Sequence, residues 1–233
     1  MTSLYREPET PGEHVDWGAL EFLDVFRIHR SGPVETVALR GLDLRVERGE
    51  VIAVLGPSGS GKSTLLQLAA GLDQPSAGEV RALSEPLSRL GERELAEYRA
   101  RRVAIVFQSR NLWPQLTARE NVRLASRFVP GALQADEALA AFDVEKRASV
   151  RAGSLSGGEQ QRVAIAAAAA RRAPLVLADE PTAELDTANE RVVLEALWAL
   201  RDEHGSTVVV VTHSARIAST ADRVVHLQDG RVA

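Results

Sequence analysis

A glycine-rich segment at 56–64 has the spacing G-x-x-x-x-G-K-[ST] and lies between an apolar run and a helical pattern. In such a loop, successive backbone N–H groups turn inward around a phosphate, and the helix that follows adds partial positive charge. Lys62 would reach the β- and γ-phosphates of a nucleotide, and the Ser63 hydroxyl would ligate Mg²⁺. A flexible turn that contains a lysine by chance is the weaker alternative. The candidate phosphate-binding residues are Gly56, Pro57, Ser58, Gly59, Ser60, Gly61, Lys62, Ser63 and Thr64.

Two adjacent acids, Asp179 and Glu180, end the apolar run 175–178. Because side chains alternate along a strand, we expect the two acids to point in opposite directions and to serve different tasks. Asp179 can hold Mg²⁺ through its water shell, and Glu180 can act as a general base on an attacking water. A strand that simply ends in solvated acids is the alternative, and the nearby phosphate loop makes it the weaker one.

A third motif, LSGGEQQR at 155–162, precedes the apolar helical pattern 163–172. Ser156 is a typical helix N-cap, with acidic and amide residues in the first turn after it. Ser156, Gly157 and Gly158 also form a second possible anion nest at a helix N-terminus. The motif alone leaves both interpretations open.

These side chains need a scaffold, and the apolar pattern predicts one. Alternation over 20–46 favours antiparallel strands, whereas the short apolar runs 51–55, 103–107, 175–178 and 207–211 favour buried strands with helices between them. The fold class is therefore α/β with a mostly parallel sheet. The stretch 111–151 has no such run and predicts inserted amphipathic helices, and 224–231 predicts a strand that leaves through a turn.

The composition narrows the class of function. With 28 Lys+Arg and 32 Asp+Glu, the formal net charge is −4, which argues against binding nucleic acid by bulk phosphate neutralisation. The chain has no cysteine, which excludes a disulfide scaffold and thiolate chemistry. No apolar stretch approaches the ~20 residues that span a bilayer. Residues 1–18 lack the pattern of a secretory signal, and we expect them to form a flexible tail of a cytoplasmic protein.

Together, the phosphate loop, LSGGEQQR, LVLADE at 175–180 and the isolated His213 resemble, in this order, the nucleotide-binding domain of ABC ATPases. The resemblance covers 19–233 and includes Gln108 as the Q-loop glutamine and 183–186 as the D-loop. Three further stretches are similar to the branch that serves lipoprotein release, macrolide efflux and antimicrobial-peptide export, namely 71–78, 106–108 and 116–122.

The resemblance implies a P-loop NTPase of ABC type, with an antiparallel β subdomain and a helical subdomain at about 109–160. Two copies of the chain, or one copy and a homologous subunit, would face each other head to tail around two ATP molecules. Ser156, Gly157 and Gly158 of one copy would then contact the γ-phosphate held by the other. Glu180, His213 and Gln108 would be catalytic, and Asp186 would couple the two sites. Ser63, Gln108 and Asp179 would hold Mg²⁺, and His29 would stack on the base.

The implied function is ATP hydrolysis that drives a separate integral membrane permease from the cytoplasmic face of the membrane. A non-transport machine, such as one for the cell wall or for division, would use the same ATPase and is the alternative. A DNA-repair ATPase is disfavoured because 64–155 contains neither heptads nor cysteines. Trp113 fits either an ordinary core position or a groove for the permease. The sequence leaves open the transported molecule and the direction of transport.

Overall fold

The computed structural model describes residues 17–32, 34–109, 111–183 and 185–233, so most of the expected N-terminal tail, at 1–16, lies outside the described residues. The strands are β1 (Leu20–Ser31), β2 (Val34–Val46), β3 (Val51–Leu55), β4 (Ala77–Ala82), β5 (Val103–Val106), β6 (Leu175–Asp179), β7 (Thr207–Thr212), β8 (Arg223–Gln228) and β9 (Arg231–Val232). The α-helices are α1 (Lys62–Ala69), α2 (Glu92–Arg101), α3 (Ala118–Ser126), α4 (Ala135–Ala141), α5 (Gly157–Ala170), α6 (Thr187–His204) and α7 (Ala215–Ala218).

The larger sheet has six strands in the order β5-β6-β7-β3-β8-β9. The first five strands run parallel, and β9 returns antiparallel to β8 through the turn predicted after the last strand. All six residues of β7 are buried, as is typical of a parallel strand that is covered on both faces. The predicted mostly parallel α/β core is confirmed, and the carboxyl ends of β3, β5, β6 and β7 meet at one edge.

The smaller sheet is antiparallel and has the order β2-β1-β4, which confirms the antiparallel strands expected over 20–46. The β8–β9 turn joins this sheet to the loop at 56–61. Gly230 N donates to Ser60 O at 3.0 Å, and Gly230 O accepts from Arg40 N of β2 at 2.9 Å. One turn therefore fixes β2 beside the loop that follows β3.

Two apolar cores hold the layers together. One lies between the two sheets and includes Phe22, Leu42 and Leu65. The other lies beneath α3, α4, α5 and α6, where Ile165 and Leu197 are fully buried. Helices α3 and α4 occupy the segment between β5 and α5, where the sequence predicts inserted helices. None of the helices in the described part of the chain is both long and apolar enough to cross a membrane.

Candidate functional site

A pocket of about 550 Å³ lies at the edge where the parallel strands end. Its volume is in the range of small-molecule sites, and its position is the one at which α/β sheets bind ligands. Sequence-predicted residues from four separate segments meet there. They are Ser58, Gly59, Gly61, Lys62, Ser63, Thr64, Gln108, Asp179, Glu180 and His213.

The loop at 56–61 curls around the ammonium of Lys62, the first residue of α1. Lys62 Nζ donates to Gly56 O at 2.7 Å and to Pro57 O at 3.0 Å. Gly61 has a φ of 104°, in the region that favours glycine, and a Cβ there would lie 2.5 Å from Ala38 O of β2. The glycine therefore meets both a conformational and a steric demand. Gly56, Pro57 and Ser60 do not line the pocket in the described structure, although the carbonyls of Gly56 and Pro57 bind Lys62.

Asp179 ends β6 beside Ser63, whose hydroxyl hydrogen-bonds to the Asp179 carboxylate. Burial raises the pKa of Asp179, and the neighbouring Glu180 carboxylate adds to that effect, whereas Ser63 and Lys62 oppose it. A hydroxyl and a carboxylate are the hard oxygen ligands that Mg²⁺ prefers. Among the described residues, no cluster of three or more acidic or histidine side chains could hold a metal by itself. This donor set fits a Mg²⁺ that completes its shell with nucleotide phosphates and water.

The expectation that Asp179 and Glu180 point in opposite directions is wrong, because both line the same pocket. Strand alternation stops at Asp179, the last residue of β6. Glu180 has a φ of 44°, which lies in the left-handed region and turns its side chain back toward the pocket. The two carboxylates therefore share one site.

The Glu180 carboxylate is held at both oxygens. Oε1 lies 2.9 Å from His213 Nδ1 and 4.0 Å from Lys62 Nζ, and Oε2 accepts from the Thr212 hydroxyl at 3.1 Å. The side chain is only 15% exposed, whereas that of His213 is 66% exposed. A carboxylate fixed beside an accessible imidazole and a buried ammonium can accept a proton from a water at the mouth of the pocket.

Three further residues that line the pocket were missed by the sequence analysis. They are Thr36, Val37 and Ala38 of β2, and the pocket is also lined by Ala183, the first residue of the predicted D-loop. The only related signal in the sequence is that positions 61 and 230 are glycines, since a Cβ at either one would lie within 2.6 Å of Ala38 O. A glycine in a sequence does not tell which backbone segment approaches it, so the contact with β2 could not be predicted.

His29, the expected base-stacking residue, does not line the pocket in the described structure. It is half-buried in β1 and is the strand partner of Thr36, which does line it. The structure thus places His29 next to the pocket wall.

The LSGGEQQR motif forms the start of α5 as a capping box, which confirms the predicted Ser-capped helix start. Ser156 Oγ accepts from Glu159 N at 3.3 Å, and Glu159 Oε2 accepts from Ser156 N at 2.9 Å. The Arg147 guanidinium, with the Ser156 N–H, lowers the pKa of Glu159. Ser156 and Gly157 are exposed, and neither they nor Gly158 belongs to the pocket of the same chain in the described structure.

Within the D-loop, Ala183 lines the pocket, whereas Leu185 and Asp186 lie beside the LSGGEQQR motif and the start of α6. Asp186 caps α6 by accepting from Ala188 N and Asn189 N, and these bonds lower the pKa of Asp186. Asn189 lies so close to Gly158 that a Cβ there would be 2.7 Å from Asn189 Oδ1. Glu184 of the D-loop lies outside the described residues.

A buried amide joins α5 to Gln108, and sequence reasoning gave no sign of it. Gln161 is 6% exposed, and its Nε2 lies 3.0 Å from each of Phe107 O, Gln108 O and Pro181 O. Its Oε1 accepts from Asn111 Nδ2 at 2.8 Å. One side chain of α5 thereby holds the backbone at both Gln108 and the segment that follows Glu180.

A phosphate loop between a parallel strand and a helix, with acids at the end of a nearby parallel strand, defines a P-loop nucleotide hydrolase. The family model for ABC transporter proteins matches residues 39–183. The chain belongs to this family, as an ATP-binding subunit, and is therefore an ATPase.

Named relatives agree with this assignment. An uncharacterized ABC transporter ATP-binding protein of Thermotoga maritima is 44% identical over 91% of this chain and 93% of its own length. The lipoprotein-releasing system ATP-binding protein LolD of Bacteroides thetaiotaomicron is 42% identical over 83% of this chain and 91% of its own. The macrolide export ATP-binding/permease protein MacB of Rhodopirellula baltica is 41% identical over 88% of this chain but 31% of its own length. The predicted family and branch are confirmed.

A solved structure has the same fold. It is the dimeric, post-hydrolysis state of the ATP-binding cassette MJ0796 bound to ADP and Pi, with a TM-score of 0.84 and 39% identity. The similarity covers 91% of this chain and 96% of that one.

Proposed function

We propose that this chain hydrolyses ATP with Mg²⁺ in a head-to-tail dimer and thereby drives a separate integral membrane permease. The observation that carries the proposal is the convergence of Lys62, Glu180 and His213 on one pocket at the ends of the parallel strands. Lys62 supplies positive charge for the β- and γ-phosphates. The β1–β2 hairpin, with Thr36 in the wall and His29 behind it, offers a surface for the base.

The chemical step assigns a different task to each remaining side chain. Ser63, Asp179 and Gln108 would hold Mg²⁺, which neutralises charge on the phosphates. Glu180 takes a proton from water as the water oxygen attacks the γ-phosphorus, and the bond to the β-phosphate oxygen breaks to leave ADP. His213, 2.9 Å from Glu180 Oε1, would orient the carboxylate and contact the γ-phosphate.

A second copy would complete each pocket. The exposed N-terminus of α5 is absent from the pocket of its own chain in the described structure, yet its backbone N–H groups suit an anion. Ser156, Gly157 and Gly158 would therefore contact the γ-phosphate of the partner copy, and Asp186 would couple the two sites. The dimeric form of the solved relative supports this arrangement.

The membrane partner is proposed from the relatives and from one surface. The relatives are named for lipoprotein release and macrolide export, which favours an exporter or extruder at the cytoplasmic face of the membrane. Trp113 is 64% exposed although it is a large apolar residue. It follows the Gln108 segment, and the Asn121 amide fixes its backbone. This surface would receive the permease and sense the state of the pocket.

The test is Glu180→Gln, which keeps the size of the side chain and removes the base. We expect loss of ATP turnover, retention of ATP binding, and an ATP-dependent shift to a dimer in light scattering. Glu203→Gln, on the exposed face of α6, is the control and should behave as the parent chain. Normal phosphate release by Glu180→Gln would refute the proposed base.

A further inference from the structure

The last residue of β7, Thr212, is completely buried beside Glu180. Its hydroxyl has two partners in the structure: it accepts from Ser214 N at 3.0 Å and lies 3.1 Å from Glu180 Oε2. A hydroxyl carries a single proton. Because the Ser214 N–H occupies a lone pair of the oxygen, the hydroxyl proton is free to point at the carboxylate.

Glu180 depends on β7 for more than this bond. Its backbone has a φ of 44°, a conformation that costs free energy for a residue with a side chain. Its N–H donates to Val211 O at 3.0 Å, so β7 binds the main chain of Glu180 as well as its carboxylate. Since β6 has ended, these contacts with β7 take the place of strand pairing in fixing where the carboxylate lies.

The two oxygens of Glu180 are held differently. Oε2 accepts from the buried Thr212 hydroxyl and lies 3.4 Å from the backbone N of His213. These two groups belong to the last residue of β7 and the residue after it. Oε1 faces the imidazole of His213, a side chain that is mostly exposed. The contact with Thr212 is therefore the buried one of the two.

We propose that Thr212 is a positioning residue: its hydroxyl holds Oε2 so that Oε1 of Glu180 is presented to the attacking water. The inference rests on the proposed role of Glu180 as general base. Thr212 touches no reacting atom itself. Without the Thr212 hydroxyl, the Glu180 carboxylate could rotate away from the orientation in which it accepts the proton. The phosphate-binding loop would stay intact.

The same strand provides a matched control. Thr207 begins β7, is 2% exposed, and its hydroxyl accepts from Gly49 N at 2.9 Å. Replacing either threonine with valine keeps the shape and removes the acceptor of one backbone N–H. The variant at 212 also removes the donor to Glu180, and that bond is the difference under test.

The experiment measures kcat and KM for ATP on the full chain of Thr212→Val, Thr207→Val and Thr212→Ser. Thr212→Val removes a hydrogen bond to the charged Glu180 carboxylate, so we expect kcat to fall about tenfold or more. KM should change by less than about twofold, because the phosphate-binding loop is unaltered. Thr207→Val should keep kcat within about twofold and Thr212→Ser within about threefold of the parent chain. Thr212→Ser and Thr212→Ala, which differ only in the hydroxyl, repeat the comparison if valine prevents folding.

Equal kcat for Thr212→Val and Thr207→Val would overturn the proposal, as would equal kcat for Thr212→Ser and Thr212→Ala. A rise in KM without a fall in kcat would also overturn it. Measuring Glu180→Gln beside these variants distinguishes failure of the positioning role of Thr212 from failure of the general-base role of Glu180. If Glu180→Gln is inactive and Thr212→Val is normal, only the positioning role fails. If Glu180→Gln turns over normally, the proposed base fails first.

Discussion

Replacing Lys62 with arginine tests whether a point charge is required in the phosphate loop. The Lys62 side chain is 9% exposed, and its ammonium fits between two loop carbonyls, 2.7 and 3.0 Å away, and the Glu180 carboxylate at 4.0 Å. Arginine keeps the charge but brings a planar guanidinium that is larger and less able to rotate its donors. In this space it cannot both satisfy the carbonyls and reach phosphate oxygens.

The magnitude follows from the contact that would be lost. A hydrogen bond to a charged group contributes about 1.5–3 kcal/mol, so loss of one such bond to a phosphate costs about 2 kcal/mol of binding free energy. We therefore expect Lys62→Arg to weaken ATP binding about thirtyfold, and turnover at fixed ATP to fall at least as far. Kd is measured by isothermal titration with ATP, and turnover by phosphate release.

The chain contains only one other lysine, Lys146, which provides the control. Lys146 is exposed in the short turn Glu145–Arg147, and Lys146→Arg should leave ATP affinity and turnover unchanged. Equal effects of the two substitutions, or an unchanged Kd in Lys62→Arg, would refute the role given to the Lys62 ammonium.

Two further predictions concern stability. Gly61→Ala places a Cβ 2.5 Å from Ala38 O at a φ of 104°, and we expect a loss of about 2–3 kcal/mol of unfolding free energy in urea titration. Gly59→Ala, at a φ of 80° where no atom beyond the adjacent residues lies within 4 Å of the added Cβ, should cost less; equal costs would contradict the role given to the Ala38 O contact. Arg147 and the Ser156 N–H lower the pKa of Glu159, so its contribution should be present above the unfolded pKa of about 4.3 and lost as pH falls through the folded one. Glu159→Gln should therefore cost about 0.5 kcal/mol at pH 7 and progressively less as pH falls through the folded pKa, and a pH-independent difference would contradict this reasoning.

The local parts of the structure could be predicted because their signals are local. The apolar runs mark the buried parallel strands, and Ser156 with Glu159 marks the start of α5. The phosphate loop is recognisable because its glycines, Lys62 and Ser63 lie within nine residues of each other along the chain.

The parts that were missed depend on contacts between distant segments. Thr36 reaches the pocket because the Gly230 turn binds both β2 and the phosphate loop. These segments are far apart in the sequence, and no motif spacing predicts that they meet. In the sequence, Gln161 is indistinguishable from any other polar residue of a helix. Its role depends on the bond from its amide to the Gln108 backbone, which the sequence does not predict. The direction of Glu180 was misjudged because strand alternation was extended one residue beyond the end of β6, into a left-handed turn.

In the proposed dimer, α5 of one copy completes the pocket of the other, and the absence of native cysteine allows a direct test. Ser58 and Ser156 are both exposed, one in the phosphate loop and one at the start of α5. Single variants Ser58→Cys and Ser156→Cys, each made in a Glu180→Gln chain, are mixed with ATP and Mg²⁺ and oxidised. We predict a disulfide-linked dimer that contains one chain of each kind, forms only with ATP, and is missing from either variant alone. Absence of the mixed dimer, or equal cross-linking without ATP, would contradict it.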